Sequence, residues 1–313
     1  MRRHPEETSL NTHLRIATAI GIALLTGVLV PVSIGIGLAQ NPKVAVQAPK
    51  APDGEGAEQQ RQRILKEIAR LPNHPWAGEY YEGDGLGANI RISLAPDAGV
   101  AATWHGCMGL YGANRGKVVV GRDGELRFEY RTPNAQGFAG FPDAMLPVRW
   151  GQRRYMIPDN KRMAFVNAIN HGQEPRGQIH GMFLLGQDDE KKMVEGLPDL
   201  PPAYLALIRR APMQTRVVSI DGVDKKKSDH GCSFTYRMTL DRGAKDRFAP
   251  GIELKPVGQP RTWETATIET VAGDTATAKM AVWYDDCTHP KTVPVAGWIF
   301  TTGGYDGKSG VVR

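Results

Sequence analysis

The sequence predicts a mainly β protein. It has two antiparallel β-barrel- or sandwich-like domains with a few short helices, after an N-terminal transmembrane or signal helix. Three observations lead there. Runs that alternate apolar and polar residues recur between turn residues, as antiparallel strands require. Glycine (36) and proline (22) are abundant, which favours turns and short strands over long helices. One stretch near the start, residues 16–39, reads "IATAIGIALLTGVLVPVSIGIGLA" and carries no charge.

The elements follow in chain order. Residues 1–15 form a basic segment, with Arg2, Arg3 and Arg15 ahead of the apolar stretch. A bilayer core of ~30 Å needs about 20 apolar residues in a helix. The basic side stays cytoplasmic and the long C-terminal part crosses. A cleaved signal peptide is the alternative. Gly37-Leu38-Ala39 is a small-x-small cleavage site before Gln40, and Gly21, Gly27 and Pro31 shorten the apolar helix. Both readings place the remainder in a bacterial cell envelope, either anchored to the inner membrane with a periplasmic body or secreted after cleavage. Residues 40–57, "QNPKVAVQAPKAPDGEGA", read as a flexible linker.

Residues 58–199 form the first domain, a helix followed by a β-rich body. In "EQQRQRILKEIARLP" a stripe of Ile64, Leu65, Ile68 and Leu71 marks a helix that Pro72 ends. Then "NIRISLAPDAGVAATW" alternates about a Pro96–Gly99 turn, which is a hairpin signature. Val118–Val120, a turn at Asp123-Gly124, and Leu126, Phe128 and Tyr130 on one face give a second pair. "LPVRWGQRRYMIP" is a further strand, and "NKRMAFVNAINHG" a short helix ending at Gly172. Residues 200–313 form a bridging helix, "LPPAYLALIRRAP", and a second β-rich domain. Its clearest hairpin is "TWETATIETVAGDTATAKMAVWYDD", turning at Ala272-Gly273-Asp274.

Two segments carry resemblances. "WAGEYYEGDGLGANIRISLAPDAG" with "WHGCMGLY" and "PVRWGQRRYMIP" resembles a segment of an uncharacterised family of exported bacterial proteins. That likeness implies export and no mechanism. "TLDRGAKDRFAPGIEL" followed by "ETATIETVAGDTATAKM" resembles the small β-barrel module of periplasmic scaffold proteins such as the rod-shape factor MreC. Gly243 and Gly251 fill the glycine places of that pattern, while Asp246-Arg247 replaces its small turn. This likeness implies a structural or protein-binding module.

Charge restricts the partners. The formal net charge is +6, and Lys225-Lys226-Lys227 is the one basic run, read as a solvated loop. A nucleic-acid surface would cluster arginine and lysine on one face, so no nucleic acid is expected. The expected partners are the membrane, through residues 16–39, and another envelope protein or a cell-wall glycan. Trp76, Tyr80, Tyr81, Trp104 and Tyr111 read first as core and second as an exposed aromatic cleft.

His-Gly-Cys occurs twice, at 105–107 and 230–232, in a chain with three cysteines. Export permits a disulfide. Cys232 and Cys287 share the C-terminal third and are the expected pair. Cys107 then reads either as a buried small residue or, with His105, as a candidate catalytic thiol and base. Zinc sets built from His105, Cys107, His230 and Cys232, or from Cys232, Cys287 and His289, lack the usual ligand spacing. No metal or cofactor is therefore expected. "GDGLGA" at 83–88 fits a dinucleotide pattern, but a β-alternating run follows it where a helix is needed. The function read from all this is a membrane-tethered or secreted envelope protein acting as a binding or scaffold module. The alternative is an exported hydrolase or thiol enzyme using Cys107 with His105.

Overall fold

A computed structural model describes residues 54–83, 87–134, 140–172, 183–258, 264–285, 287–288 and 293–303. The apolar stretch 16–39, most of the linker, His180, His289 and the glycine-rich tail lie outside the described residues, as do positions 84–86 of "GDGLGA". Among the described residues no helix is long and apolar enough to cross a membrane.

Helix α1 (Gly54–Ile68) begins inside the stretch read as linker. Eight strands follow: β1 (Gly78–Gly83), β2 (Ala88–Ala95), β3 (Gly99–Gly106), β4 (Gly109–Val120), β5 (Leu126–Tyr130), β6 (Ala144–Trp150), β7 (Arg153–Pro158) and β8 (Leu184–Gly186). Each pairs with the next, and β8 returns to β1 through Tyr80↔Gly186 and Tyr81↔Leu185, so the barrel is closed. Ile92, Leu94, Val100, Ala102, Trp104, Leu126, Phe128 and Met145 form its core. They come from the alternating positions of their strands, whose side chains point to one face. An eight-stranded barrel is just wide enough for such side chains to fill.

Two expectations are corrected here. "LPVRWGQRRYMIP" is a hairpin of β6 and β7 rather than one strand, because Gly151 turns the chain at φ +57°. Trp76, Tyr80 and Trp104 are buried in the barrel core, as their first reading expects, which corrects the second reading of those residues as an exposed aromatic cleft; Tyr111 is exposed.

Helix α2 (Arg162–Asn170) joins the two barrels. Phe165, Val166 and Ile169 pack with Leu146, Val148, Trp150, Tyr155 and Ile157 from β6 and β7. Two buried amides serve the second barrel and the segment leading to it. Asn167 donates to Gly251 O (2.8 Å) and accepts from the Glu253 N–H (3.1 Å). Asn170 donates to Leu207 O (3.0 Å) and accepts from the Arg209 N–H (2.8 Å). The bridging helix α3 (Pro202–Leu205) is a single turn.

The second barrel comprises β9 (Gln214–Ser228), β10 (Gly231–Leu240), β11 (Glu253–Pro256), β12 (Ala266–Val271), β13 (Ala276–Tyr284) and β14 (Ile299–Thr301). They close in the order β10-β13-β12-β11-β14-β9. The β12–β13 hairpin turns where the sequence places it. The lysine run, however, lies in β9 and not in a loop. Lys225, Lys226 and Lys227 stand opposite Phe234, Ser233 and Cys232, and this pairing extends the strand past its apolar part. Arg247 adopts φ 59° and is the one described non-glycine residue at positive φ, at the position where the resembled pattern has its small turn.

Candidate functional site

The two His-Gly-Cys copies occupy different barrels, each at a hairpin tip. In the second, Asp229 and His230 make the turn, Gly231 opens β10 opposite Ser228, and Cys232 is fully buried. Cys232 is disulfide-bonded to Cys287 across a separation of 55 residues. Closing such a loop contributes about 4 kcal/mol in the chain-entropy picture.

In the first copy, Gly106 pairs with Gly109, and Cys107 and Met108 form the turn between β3 and β4. Cys107 is an exposed free thiol, which corrects the expectation that it is buried. A two-residue turn leaves no neighbouring strand to cover it. Its sulfur lies 3.5 Å from the Tyr111 hydroxyl. Tyr111 lies over Gly106, where an added Cβ would be 2.1 Å from the ring. The hydrogen bond with Cys107 raises the Tyr111 pKa. His105 is also exposed, and among the described residues no hydrogen bond joins it to Cys107. Hence the thiol's close polar neighbour is a phenol and not an imidazole base. Among the described residues no group of three or more His, Cys, Asp or Glu could hold a metal ion.

A larger feature lies on the side of the first barrel. An open groove of about 1140 Å³ runs between α1, the β2–β3 turn, the middle of β4 and the end of β5. One wall carries Gln60, Arg63 and Glu67 on α1, then Arg70, Leu71 and His74 past the end of the helix. The facing wall is Pro96-Asp97-Ala98 in the β2–β3 turn, Arg115-Gly116-Lys117 in β4, and Glu129-Tyr130-Arg131 around the end of β5.

Three devices hold the walls in place. Gln60 is buried and donates to both Ala98 O and Gly116 O at 2.7 Å, fastening α1 across β3 and β4. Two turns further on, the Glu67 carboxylate accepts the N–H groups of Asp97 (3.0 Å) and Ala98 (2.6 Å). Beneath it, Ile64 packs on Ala95 and Ala101, small residues that let the helix sit close. On the facing wall, buried Asn114 donates to Thr132 O (3.1 Å) and accepts from the Thr132 hydroxyl (3.0 Å), while the Arg131 N–H donates to Arg115 O (2.7 Å). Arg115 and Arg131 are therefore held at neighbouring positions.

The floor needs glycine. A Cβ on Gly99, at φ +82°, would be 2.1 Å from Gly116 O, and one on Gly116 would be 2.0 Å from Glu129 O. Five cations line the groove against three carboxylates. One of those carboxylates, Glu67, is already committed to the turn N–H groups. The groove thus presents a positive face, with Tyr130 and Leu71 as apolar surface within it. Tyr130 stays protonated because burial raises its pKa, and its hydroxyl donates to Pro142 O at 3.0 Å.

The sequence reading passed over these residues, although one signal was present. Gln60, Arg63, Glu67 and Arg70 make a polar stripe beside the apolar one that identified the helix. Comparison with protein-family models, curated proteins and solved structures gives no match.

Proposed function

We propose that the chain is a membrane-tethered or secreted envelope protein acting as a binding or scaffold module, with the groove between α1 and the first barrel as its ligand site. The observation that carries this is the groove, whose two walls are pinned by the buried amides of Gln60 and Asn114. Ligands bind in concave sites, and this one is lined mainly by charged side chains. Buried polar networks of this kind rigidify a structure only when satisfied, and both amides are. Export rests on the uncharged stretch after Arg2, Arg3 and Arg15.

The test is a thermal-shift panel of acidic glycans, neutral glycans and lipid headgroups on the full chain. A bound ligand raises Tm by mass action. At least one compound should raise it, and Lys117→Trp, which places an indole in the groove from an exposed position, should abolish the rise. A rise unaffected by that variant would move the site elsewhere.

A second reading is a thiol enzyme using Cys107 with His105, favoured by the exposure of Cys107 beside Tyr111. It requires fast alkylation of Cys107 in the native chain that slows when His105 is replaced by alanine. Alkylation at the rate of an ordinary exposed cysteine in both proteins would remove it.

A further inference from the structure

The ligand class of the groove follows from how its arginines are placed, and this step rests on the groove being the ligand site. Arg63 lies in α1, and Arg70, seven positions on, lies in the turn that follows Ile68. At a helical rise of 1.5 Å per residue such a separation is about 10 Å, and both residues line the groove. Both are exposed, and among the described residues no carboxylate forms an ion pair with either. Across from them stand Arg115 and Arg131, locked together by the Arg131 N–H bond to Arg115 O. Asn114 is buried to hold that end of β4 to the chain after β5.

The fold thus spends two buried amides on holding guanidinium groups on opposite walls. Guanidinium groups match the paired oxygens of phosphate and carboxylate better than ammonium groups do.

We propose that the groove binds a chain-like polyanion whose phosphate or carboxylate groups are spread over about 10 Å, one subsite at Arg63 and the next at Arg70, with Arg115 and Arg131 closing on it from the barrel wall. Asp97 edges the groove at the β2–β3 turn, and Glu129 lies on the barrel wall opposite Lys117. Glu67 lies between the two subsites, with its carboxylate bonded to the Asp97 and Ala98 N–H groups. Tyr130 and Leu71 supply the surface on which the uncharged part of the chain lies.

The experiment is isothermal titration of the full chain with linear inorganic tetraphosphate, with tetragalacturonate, with a neutral chitin tetrasaccharide and with inorganic phosphate. Saturable binding of tetraphosphate identifies phosphate as the source, and of tetragalacturonate carboxylate. Either should bind at least about tenfold more tightly than inorganic phosphate and weaken about tenfold between low and high salt. Arg63→Glu with Arg70→Glu should cost about 100-fold or more. Lys226→Glu with Lys227→Glu changes the net charge equally on the second barrel and should leave affinity within about twofold.

Equal losses in both double variants would reduce the binding to general attraction and overturn the proposal. So would affinity for inorganic phosphate equal to that for the chains. Failure of both anionic chains, with the chitin tetrasaccharide binding and Lys117→Trp blocking it, would overturn the polyanion while leaving the groove as a ligand site.

Discussion

Replacing Gln60 by methionine isolates what holds the helix wall of the groove. The two side chains are similar in length and in helix propensity, so the change acts mainly through hydrogen bonding. Gln60 is 6% exposed and makes two 2.7 Å bonds, to Ala98 O and Gly116 O. Each such bond is worth about 1 kcal/mol net. The variant should therefore lose about 2 kcal/mol, a fall of about 4–8 °C in Tm for a body of this size. The loss should also be local, because α1 is fastened there and the second barrel is not. Hydrogen exchange should show faster exchange of α1 amides and of the 96–99 turn. The amides of β10 and β13 should be unchanged. A loss below about 0.5 kcal/mol with α1 protection intact would refute the assignment of Gln60 as the fastener.

Other consequences are open to the same kind of measurement. Replacing Cys232 and Cys287 together by alanine should cost up to about 4 kcal/mol in denaturant unfolding of the second barrel, and native thiol titration of the unaltered chain should count one free thiol, Cys107. Gly99→Ala should cost about 3 kcal/mol or more, since it adds a left-handed alanine and a contact with Gly116 O that the strand must yield to; thermal unfolding measures it. His171 is half-buried, and this burial and nearby Lys255 lower its pKa from 6.5 to about 4, against the opposing effect of its Nε2 contact with Glu253 O at 3.2 Å. The unfolded chain therefore binds this proton first. The stability is fully present above pH 6.5 and is lost as pH falls toward about 4, by up to about 3 kcal/mol. His171→Gln should flatten that part of the stability profile, and an unchanged slope would contradict the assignment.

The strands were legible because alternation is local. Ile92 and Leu94, or Ala276 to Val282, declare one buried face within a few residues. The helices were legible for the same reason, and α2 ends where its glycine stands. Closure into barrels was not legible, because it depends on pairs such as Tyr80↔Gly186 that lie far apart in sequence. Strand β8 has three residues, too few to alternate visibly. The lysine run looked like a loop because charge was the only local cue. Its strand conformation comes from β10, whose Phe234 and Cys232 stand opposite. Cys107 was misread as buried because a cysteine's burial depends on what covers it, and a hairpin tip has nothing to cover it. Half of the groove could have been seen as a polar stripe on α1. The other half could not, since Arg115 and Arg131 reach that stripe only once β3, β4 and β5 are paired.

The most direct test of the groove as the ligand site is a hydrogen-exchange footprint of the full chain with and without the ligand that raises its Tm. Added protection should be confined to α1, the 96–98 turn, and residues 115–117 and 129–131. Protection centred on the Cys107–Met108 turn, or on the second barrel with these segments unchanged, would contradict it.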